Sequence, residues 1–215
     1  MPFDRIYLAR HGQSETNRER RLCGQLDPAL TEDGLAQAAA LARLLAGVSL
    51  AAVFTSGLRR TQQMAAPLAA ARKLPVTVLA AFNEMSLGAL EGRFRDERDP
   101  QAQALWQQRK AAPAAFRAPG GETFAELEAR VLPALAALLQ AGQGSALIVG
   151  HRETNRALLK GLLGWTTERV LGEKLRNHLV YEIDVGAPDA HARRVLRTIS
   201  LREEDAGASW EGYRT

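Results

Sequence analysis

Residues 145–163 read SALIVGHRETNRALLKGLL, an apolar run that leads through His151 into a segment with helical spacing. The first part of this stretch, residues 145–150, is almost entirely apolar and ends in glycine. Such a run predicts a strand buried on both faces of a sheet. The apolar positions after it recur at helical intervals, which predicts a helix over 152–163. A buried strand followed at once by a helix is typical of a parallel sheet covered by helices.

The same signals recur on both sides of this stretch. Further strands are predicted at 6–9, 52–55, 75–79, 177–185 and 193–201, and further helices at 31–46, 57–72, 96–112 and 122–141. Strands that alternate with helices predict an α/β fold, a three-layer α/β/α sandwich on a mostly parallel, mixed sheet whose last two strands form an antiparallel edge. Since no linker or repeat interrupts the pattern, we expect a single domain over 1–215 with a polar tail at 202–215.

The composition excludes several classes of protein. Of the 215 residues 46% are apolar and the net charge is +4, which excludes a disordered chain. Cys23 is the only cysteine, which excludes a disulfide scaffold, and no apolar run is long enough to span a membrane. The first residues show no secretory signal, so we expect a cytoplasmic protein. The pI of about 9.6 comes from scattered arginines, so neither a nucleic-acid nor a membrane partner is expected.

Basic and imidazole side chains stand after three of the predicted strands. In chain order they are Arg10 and His11, Arg59 and Arg60, and His151 and Arg152. Ligands of α/β sheets bind at the carboxyl ends of the strands, and guanidiniums beside a neutral imidazole suit the binding and transfer of a phosphoryl group. A lone histidine in such a position is usually structural. Two histidines at one edge, with Arg10 and Arg59 nearby, favour a phosphate site, whereas Arg60 is expected on the ordinary surface.

Five segments, in this order, resemble the motifs of one known family. They are LARHGQSETN at 8–17, GQLDPALT at 24–31, TSGLRRTQ at 55–62, NEMSLGALEG at 83–92 and PGGET at 119–123. The first resembles the RHG signature of the histidine phosphatase superfamily, the phosphoglycerate mutase-like proteins. The resemblance covers most of the chain and implies the phosphoglycerate mutase-like form of the sandwich.

The resemblance also implies roles for particular residues. His11 would be the nucleophile that carries the phosphoryl group, and Glu84 would protonate the leaving alcohol and then activate water. The phosphate pocket would be formed by Arg10, Arg59 and His151. Further substrate contacts are predicted at Asn17, Gly24, Gln25 and Arg152.

The chain departs from the family directly after the second histidine. The family usually has a small residue there, and this chain has Arg152 and Glu153. Arg152 would either contact the substrate or pair with Glu153 or Glu84 outside the pocket, so the departure concerns the substrate rather than the reaction. Cys23 stands beside the predicted phosphate and is expected to be chemically passive.

The leading hypothesis is a metal-independent phosphatase that hydrolyses small phosphomonoesters through a phosphohistidine. A phosphoglycerate mutase-type phosphotransferase is the alternative among enzymes, and a non-catalytic module that binds a phosphorylated ligand is the alternative outside them. Only 66 residues separate Glu84 from His151, fewer than is usual in mutases of the family, which favours hydrolysis. Because no metal or nucleotide motif is evident, neither a metal nor a cofactor is predicted. The expected partner is a small phosphorylated metabolite; its identity and the oligomeric state, a homodimer included, stay open.

Overall fold

A computed structural model describes residues 3–187 and 189–201, and strands alternate with helices through this part of the chain. The strands are β1 (Phe3–Arg10), β2 (Leu50–Thr55), β3 (Val76–Val78), β4 (Gly144–Gly150), β5 (Leu179–Asp184) and β6 (Arg194–Ser200). The helices are α1 (Glu15–Arg18), α2 (Glu32–Leu44), α3 (Arg59–Arg72), α4 (Pro100–Ala111), α5 (Phe124–Ala141), α6 (Arg152–Leu163) and α7 (Thr167–Gly172). Short helical turns occur at Ala80–Phe82, Gly88–Leu90 and Ala190–Ala192.

The strands of the described chain form one mixed sheet in the order β3-β2-β4-β1-β5-β6. The first four strands of this order run parallel, β5 runs antiparallel to β1, and β6 runs antiparallel to β5. Ala9 of β1 pairs with Val149 of β4, so these two strands end side by side near the middle of the sheet. The sheet confirms the predicted mostly parallel arrangement and its antiparallel edge.

Alternate residues of the central strands face two separate cores. Ile6 and Leu8 of β1 lie in the core that α5 and α6 cover, whereas Tyr7 and Ala9 lie in the core that α2 and α3 cover. Both faces of β4 are buried in the same way, which explains why its run at 145–150 has no charged position. The predicted three-layer sandwich is therefore confirmed.

Side chains next to the helix starts satisfy amides that have no partner within the helix. Thr31 caps α2, as the sequence predicts, because its hydroxyl accepts a hydrogen bond from Gly34 N at 3.1 Å. Thr123 and Glu126 form a reciprocal capping box at the start of α5. The helix predicted at 96–112 starts later, at Pro100, since Asp99 caps it by accepting from the backbone of the first turn.

Other differences concern short elements. The strand predicted at 75–79 narrows to Val76–Val78, where it pairs with β2 alone at the edge of the sheet. The helix predicted from residue 57 begins at Arg59, because Leu58 is extended. Helices α1 and α7 were not predicted from the sequence, because with four and six residues they are too short to show a helical period.

Two predictions concern residues that lie outside the described ranges. The polar tail at 202–215 lies outside them, and the single domain over 1–215 stays a prediction. None of the helices in the described ranges is both long and apolar enough to cross a bilayer.

Candidate active site

A cavity of about 90 Å³ lies at the carboxyl ends of the central strands, where the sequence predicts the site. Six of the predicted residues line it: Arg10, His11, Asn17, Gly24, Glu84 and Arg152. Across the described chain the wall contains six arginines and two glutamates. This excess of positive charge suits an anionic ligand.

His11 follows β1 directly, and its backbone amide donates to Gly150 O at 3.0 Å, which fixes it beside the end of β4. The side chain is buried, with Nδ1 2.7 Å from Gly12 O. A carbonyl oxygen only accepts, so Nδ1 carries the hydrogen and Nε2 carries the lone pair. Burial and the charges of Arg60 and Arg10 keep the pKa of His11 well below its usual value. The ring is therefore neutral at pH 7, which is the nucleophilic form.

His151 follows β4, and the centroid of its ring lies 5.2 Å from that of His11. A chain of buried hydroxyls determines its tautomer. Nε2 lies 2.8 Å from Ser56 Oγ, which lies 2.8 Å from Thr61 Oγ1. Thr61 gives its hydrogen to Leu58 O at 2.8 Å, so Ser56 gives its own to Thr61, and the hydrogen between Ser56 and His151 belongs to Nε2.

The other ring nitrogen of His151, Nδ1, takes no part in these hydrogen bonds. Nδ1 is buried and has no hydrogen-bond partner within the described residues. Burial, followed by the charge of Arg60, keeps the pKa of His151 well below its usual value. His151 is fully buried and is not among the residues that line the cavity, so its predicted contact with the phosphate stays a prediction. Nδ1 is the ring atom left for such a contact, and an anion beside it would favour the protonated ring.

Two guanidiniums line the cavity: that of Arg60 is fully buried and that of Arg10 is partly buried. Arg10 donates to Leu175 O at 3.0 Å, and Arg60 donates to Leu26 O at 2.5 Å and to Gly24 O at 2.9 Å. Neither forms an ion pair in the described chain, although a buried cation is normally paired with a carboxylate. Burial, followed by the charge of Arg152, lowers the pKa of Arg10 to about 10. A bound anion would supply the missing negative charge.

The structure corrects the predicted pocket arginine. Arg59, the sequence prediction, is exposed and contributes its backbone amide to Asp27 Oδ1 at 2.6 Å, whereas Arg60 is 0% exposed and lines the cavity. The reason is helical phase: the buried face of α3 carries Arg60, Met64 and Leu68, which are spaced by four residues. This spacing is visible in the sequence and could have identified Arg60.

Glu84 lies at the N-terminus of α6. Its carboxylate accepts from the backbone amides of Arg152 at 3.0 Å, Glu153 at 3.2 Å and Thr154 at 3.3 Å. These amides have no partner within the helix, so the carboxyl of Glu84 satisfies them and is held in place. The loop that carries Glu84 is held by Arg130 of α5, which donates to Glu84 O at 3.0 Å. No local pattern in the sequence indicates this role of Arg130.

Two further predicted contacts have mixed outcomes. Gln25 is exposed and does not line the cavity; its side-chain amide donates to Glu84 O at 3.1 Å. Arg152 pairs with Glu153, its Nε lying 2.9 Å from Oε1, but both residues line the cavity, so the pair does not lie outside the pocket and contact of Arg152 with the substrate stays a prediction.

Glu153 is the centre of a buried charge cluster that the sequence did not predict. It contacts the guanidiniums of Arg109 at 3.2 Å, Arg152 at 2.9 Å and Arg156 at 3.0 Å. We call these four residues the Glu153 cluster. Burial opposes ionisation of the carboxyl, but the three cations outweigh it and lower the pKa of Glu153 to about 2. Unpredicted wall residues also include Arg21, Arg95 and Trp106.

Comparison with known proteins identifies the family of the chain. A family model described as the histidine phosphatase superfamily (branch 1) matches residues 6–212. The chain belongs to this superfamily. A superfamily relative from Salmonella choleraesuis, named "Probable phosphoglycerate mutase GpmB", is 34% identical over 183 residues, which cover 83% of this chain and 84% of the relative.

Solved structures of the histidine phosphatase superfamily have the same fold. The α-ribazole phosphatase from Shigella flexneri matches with a TM-score of 0.76 and 29% identity, over 89% of this chain and 94% of that one. The mycobacterial glucosyl-3-phosphoglycerate phosphatase in complex with VO3 matches with a TM-score of 0.74 and 27% identity, over 84% and 92% of the two chains. The family and fold expected from the sequence motifs are confirmed.

Proposed function

We propose that this protein is a metal-independent phosphatase that hydrolyses a small phosphomonoester through a phosphohistidine on His11. One observation carries the proposal: the guanidiniums of Arg10, which is partly buried, and Arg60, which is fully buried, have no carboxylate partner in the described chain and share a cavity with a neutral imidazole. A phosphoryl dianion would supply the two charges these cations lack, and it would present phosphorus to the imidazole.

The substrate's phosphoryl oxygens bind to groups that are already in place. Arg10 and Arg60 hold them through charged hydrogen bonds. His151 holds another oxygen through Nδ1, the buried nitrogen that has no protein partner. The amide of Asn17 lines the same cavity; its oxygen already accepts from Ser14 N at 3.3 Å, which leaves its NH2 group to donate to the ligand.

In the first step His11 Nε2 attacks phosphorus. A nitrogen–phosphorus bond forms as the bond between phosphorus and the ester oxygen breaks. The contact between Nδ1–H and Gly12 O stabilises the positive charge that grows on the imidazole. Glu84, in its protonated form, gives its proton to the departing oxygen, so the alcohol leaves neutral.

In the second step the Glu84 carboxylate takes a proton from water as the water oxygen attacks phosphorus. The nitrogen–phosphorus bond breaks, His11 regains its lone pair at Nε2, and inorganic phosphate is released. The three backbone amides at the start of α6 hold the carboxylate in one place through both steps. Arg10 and Arg60 neutralise the equatorial oxygens throughout.

The test is hydrolysis of an alkyl phosphate and an aryl phosphate with chelator present. We expect His11→Ala to abolish turnover of both esters, and His191→Ala, which changes an exposed histidine, to leave both unchanged. Glu84→Gln should slow the alkyl ester by about 100-fold and the nitrophenyl ester much less, because nitrophenolate leaves without protonation. Acid-labile phosphate on the wild-type chain identifies phosphohistidine. Equal rates for wild type and His11→Ala would overturn the proposal and favour a non-catalytic phospholigand module.

A phosphoglycerate mutase-type transfer is the second candidate, because the Salmonella relative bears that name. The short spacing between Glu84 and His151 supports hydrolysis instead. Incubation with phosphoglycerates, scored for inorganic phosphate against the isomer, separates the two reactions. If the isomer forms and no inorganic phosphate is released, the reaction is transfer rather than hydrolysis.

A further inference from the structure

The outer part of the cavity wall carries more positive charge than one phosphoryl group requires. Arg10 and Arg60 are assigned to that group in the proposed function. Arg21 is occupied, since Nε pairs with Glu19 at 2.7 Å and a terminal nitrogen donates to Gly92 O at 2.8 Å. Arg109 is buried within the Glu153 cluster. The wall arginines that remain are Arg95 and Arg152, because Arg152 belongs to the same cluster but is partly exposed.

The guanidinium of Arg152 is held through Nε, whereas its terminal nitrogens remain available to a ligand. Nε is held by Glu153 Oε1 at 2.9 Å, and the guanidinium carbon lies 5.9 Å from the ring centroid of Trp106. The two terminal nitrogens make no hydrogen bond to any residue in the ranges the structure describes, and a third of the side chain is exposed (33%). A guanidinium held in this way is oriented before a ligand arrives, so binding loses little side-chain entropy.

Arg95 lines the same cavity and is exposed at its rim. Its side chain has no hydrogen bond or ion pair within the described chain. Burial of part of the side chain, and next the charge of Arg152, lowers its pKa, so these two cations repel each other across the rim. The second carboxylate of the wall, that of Glu153, is already shared by the three arginines of its cluster.

Resting on the proposed phosphatase activity, we infer that Arg95 and Arg152 form a second anion subsite at the mouth of the cavity. The preferred substrates are then phosphomonoesters that carry a second anionic group, a carboxylate or a further phosphate, a few bonds from the ester oxygen. Because both arginines line the same cavity as Arg10 and Arg60, the two anions of one ligand would lie close together. This subsite depends on Arg152, the residue at which the chain departs from the family pattern.

The test compares esters that differ in one charge. The first pair is 3-phosphoglycerate and glycerol 3-phosphate, which share a carbon skeleton but carry a carboxylate and an alcohol, respectively, at the end away from the phosphate. The second pair is the bisphosphate and the monophosphate of propane-1,3-diol, which differ by one phosphate. We expect kcat/KM for the wild type to be about tenfold higher on the more anionic member of at least one pair, as one partly exposed charged contact allows. Whichever pair shows the larger ratio identifies the second anion.

The variants then locate the effect. Arg95→Gln and Arg152→Gln should each reduce the ratio between the two members, and the double variant should bring it close to one. Arg43→Gln removes the same charge from the exposed side of α2 and should leave the ratio unchanged. Using the ratio cancels any effect on the chemical step. A wild-type ratio of one for both pairs, or a ratio that persists in the double variant, would overturn the subsite.

Calorimetric titration with the same four esters distinguishes failure of the subsite from failure of the proposed function. If no ester is hydrolysed, the phosphatase proposal fails while the affinity ratios still test the subsite. Stronger binding of the more anionic member, lost in the double variant, supports the subsite without catalysis. Equal affinities across both pairs would refute it.

Discussion

Glu153→Gln tests how a single buried carboxylate supports the wall of the cavity. The side chain is 6% exposed and contacts three guanidiniums, of which those of Arg109 and Arg156 are also buried. The substitution keeps the size of the side chain and removes its charge. Three cations would then be left without a negative partner in a region shielded from water, which is strongly unfavourable.

The size of the effect follows from the pKa of Glu153. The ordinary value of 4.5 falls to about 2 in the folded protein. Each unit of difference corresponds to about 1.4 kcal/mol, so the carboxylate contributes about 3 kcal/mol to folding at neutral pH. For a chain of this length that amounts to a fall of roughly 10 °C in the unfolding temperature. Because the folded pKa is the lower one, this contribution is present above pH 4.5 and is lost as pH falls towards 2.

The assay is urea unfolding of wild type and Glu153→Gln between pH 7 and pH 2.5, with Glu97→Gln as the control at an exposed carboxylate. We expect the variant to lose about 3 kcal/mol at pH 7 and the difference to shrink steadily below pH 4.5. The control should remain within about 0.5 kcal/mol of wild type. A variant as stable as wild type at pH 7, or a deficit that does not change with pH, would refute this account of the Glu153 cluster.

Two further predictions concern the reaction. Arg60→Gln should lower kcat/KM by about 100-fold, because a buried charged contact to the phosphoryl group is lost, whereas Arg59→Gln should change it little; a larger effect at Arg59 would contradict the structure. Ser56→Ala removes the acceptor for His151 Nε2–H, so we expect kcat/KM to fall about tenfold and the alkaline limb of its pH profile to move to lower pH. An unchanged profile would exclude Ser56 from positioning His151.

The elements that could be predicted from the sequence are those specified by neighbouring residues. Gly144–Gly150 is a strand because its apolar run can be buried on both faces, and the start of α2 follows from the cap at Thr31. The placement of His11 and His151 at one edge follows from the parallel order of the strands that precede them. None of these inferences requires knowledge of a distant contact.

The features that were missed depend on distant contacts or on helical phase. Arg109 and Glu153 lie 44 positions apart, and no local pattern indicates that they meet. Arg59 and Arg60 are adjacent arginines in one motif, and only the orientation of α3 decides which one is buried. Arg95 stands among charged neighbours and nothing local singles it out; its position at the cavity depends on the pairing of the adjacent Phe94 with the distant Arg21.

The guanidiniums of Arg10 and Arg60 have no carboxylate partner within the described residues, so a bound anion would stabilise the folded protein. Inorganic phosphate, the proposed product, offers the same oxygens as the ester, so it competes for the cavity and slows turnover as it accumulates. Ligand that binds only the folded chain also opposes unfolding, by RT ln(1 + [L]/Kd). An increase in the concentration of inorganic phosphate would therefore increase both the inhibition of the reaction and the unfolding temperature of the protein.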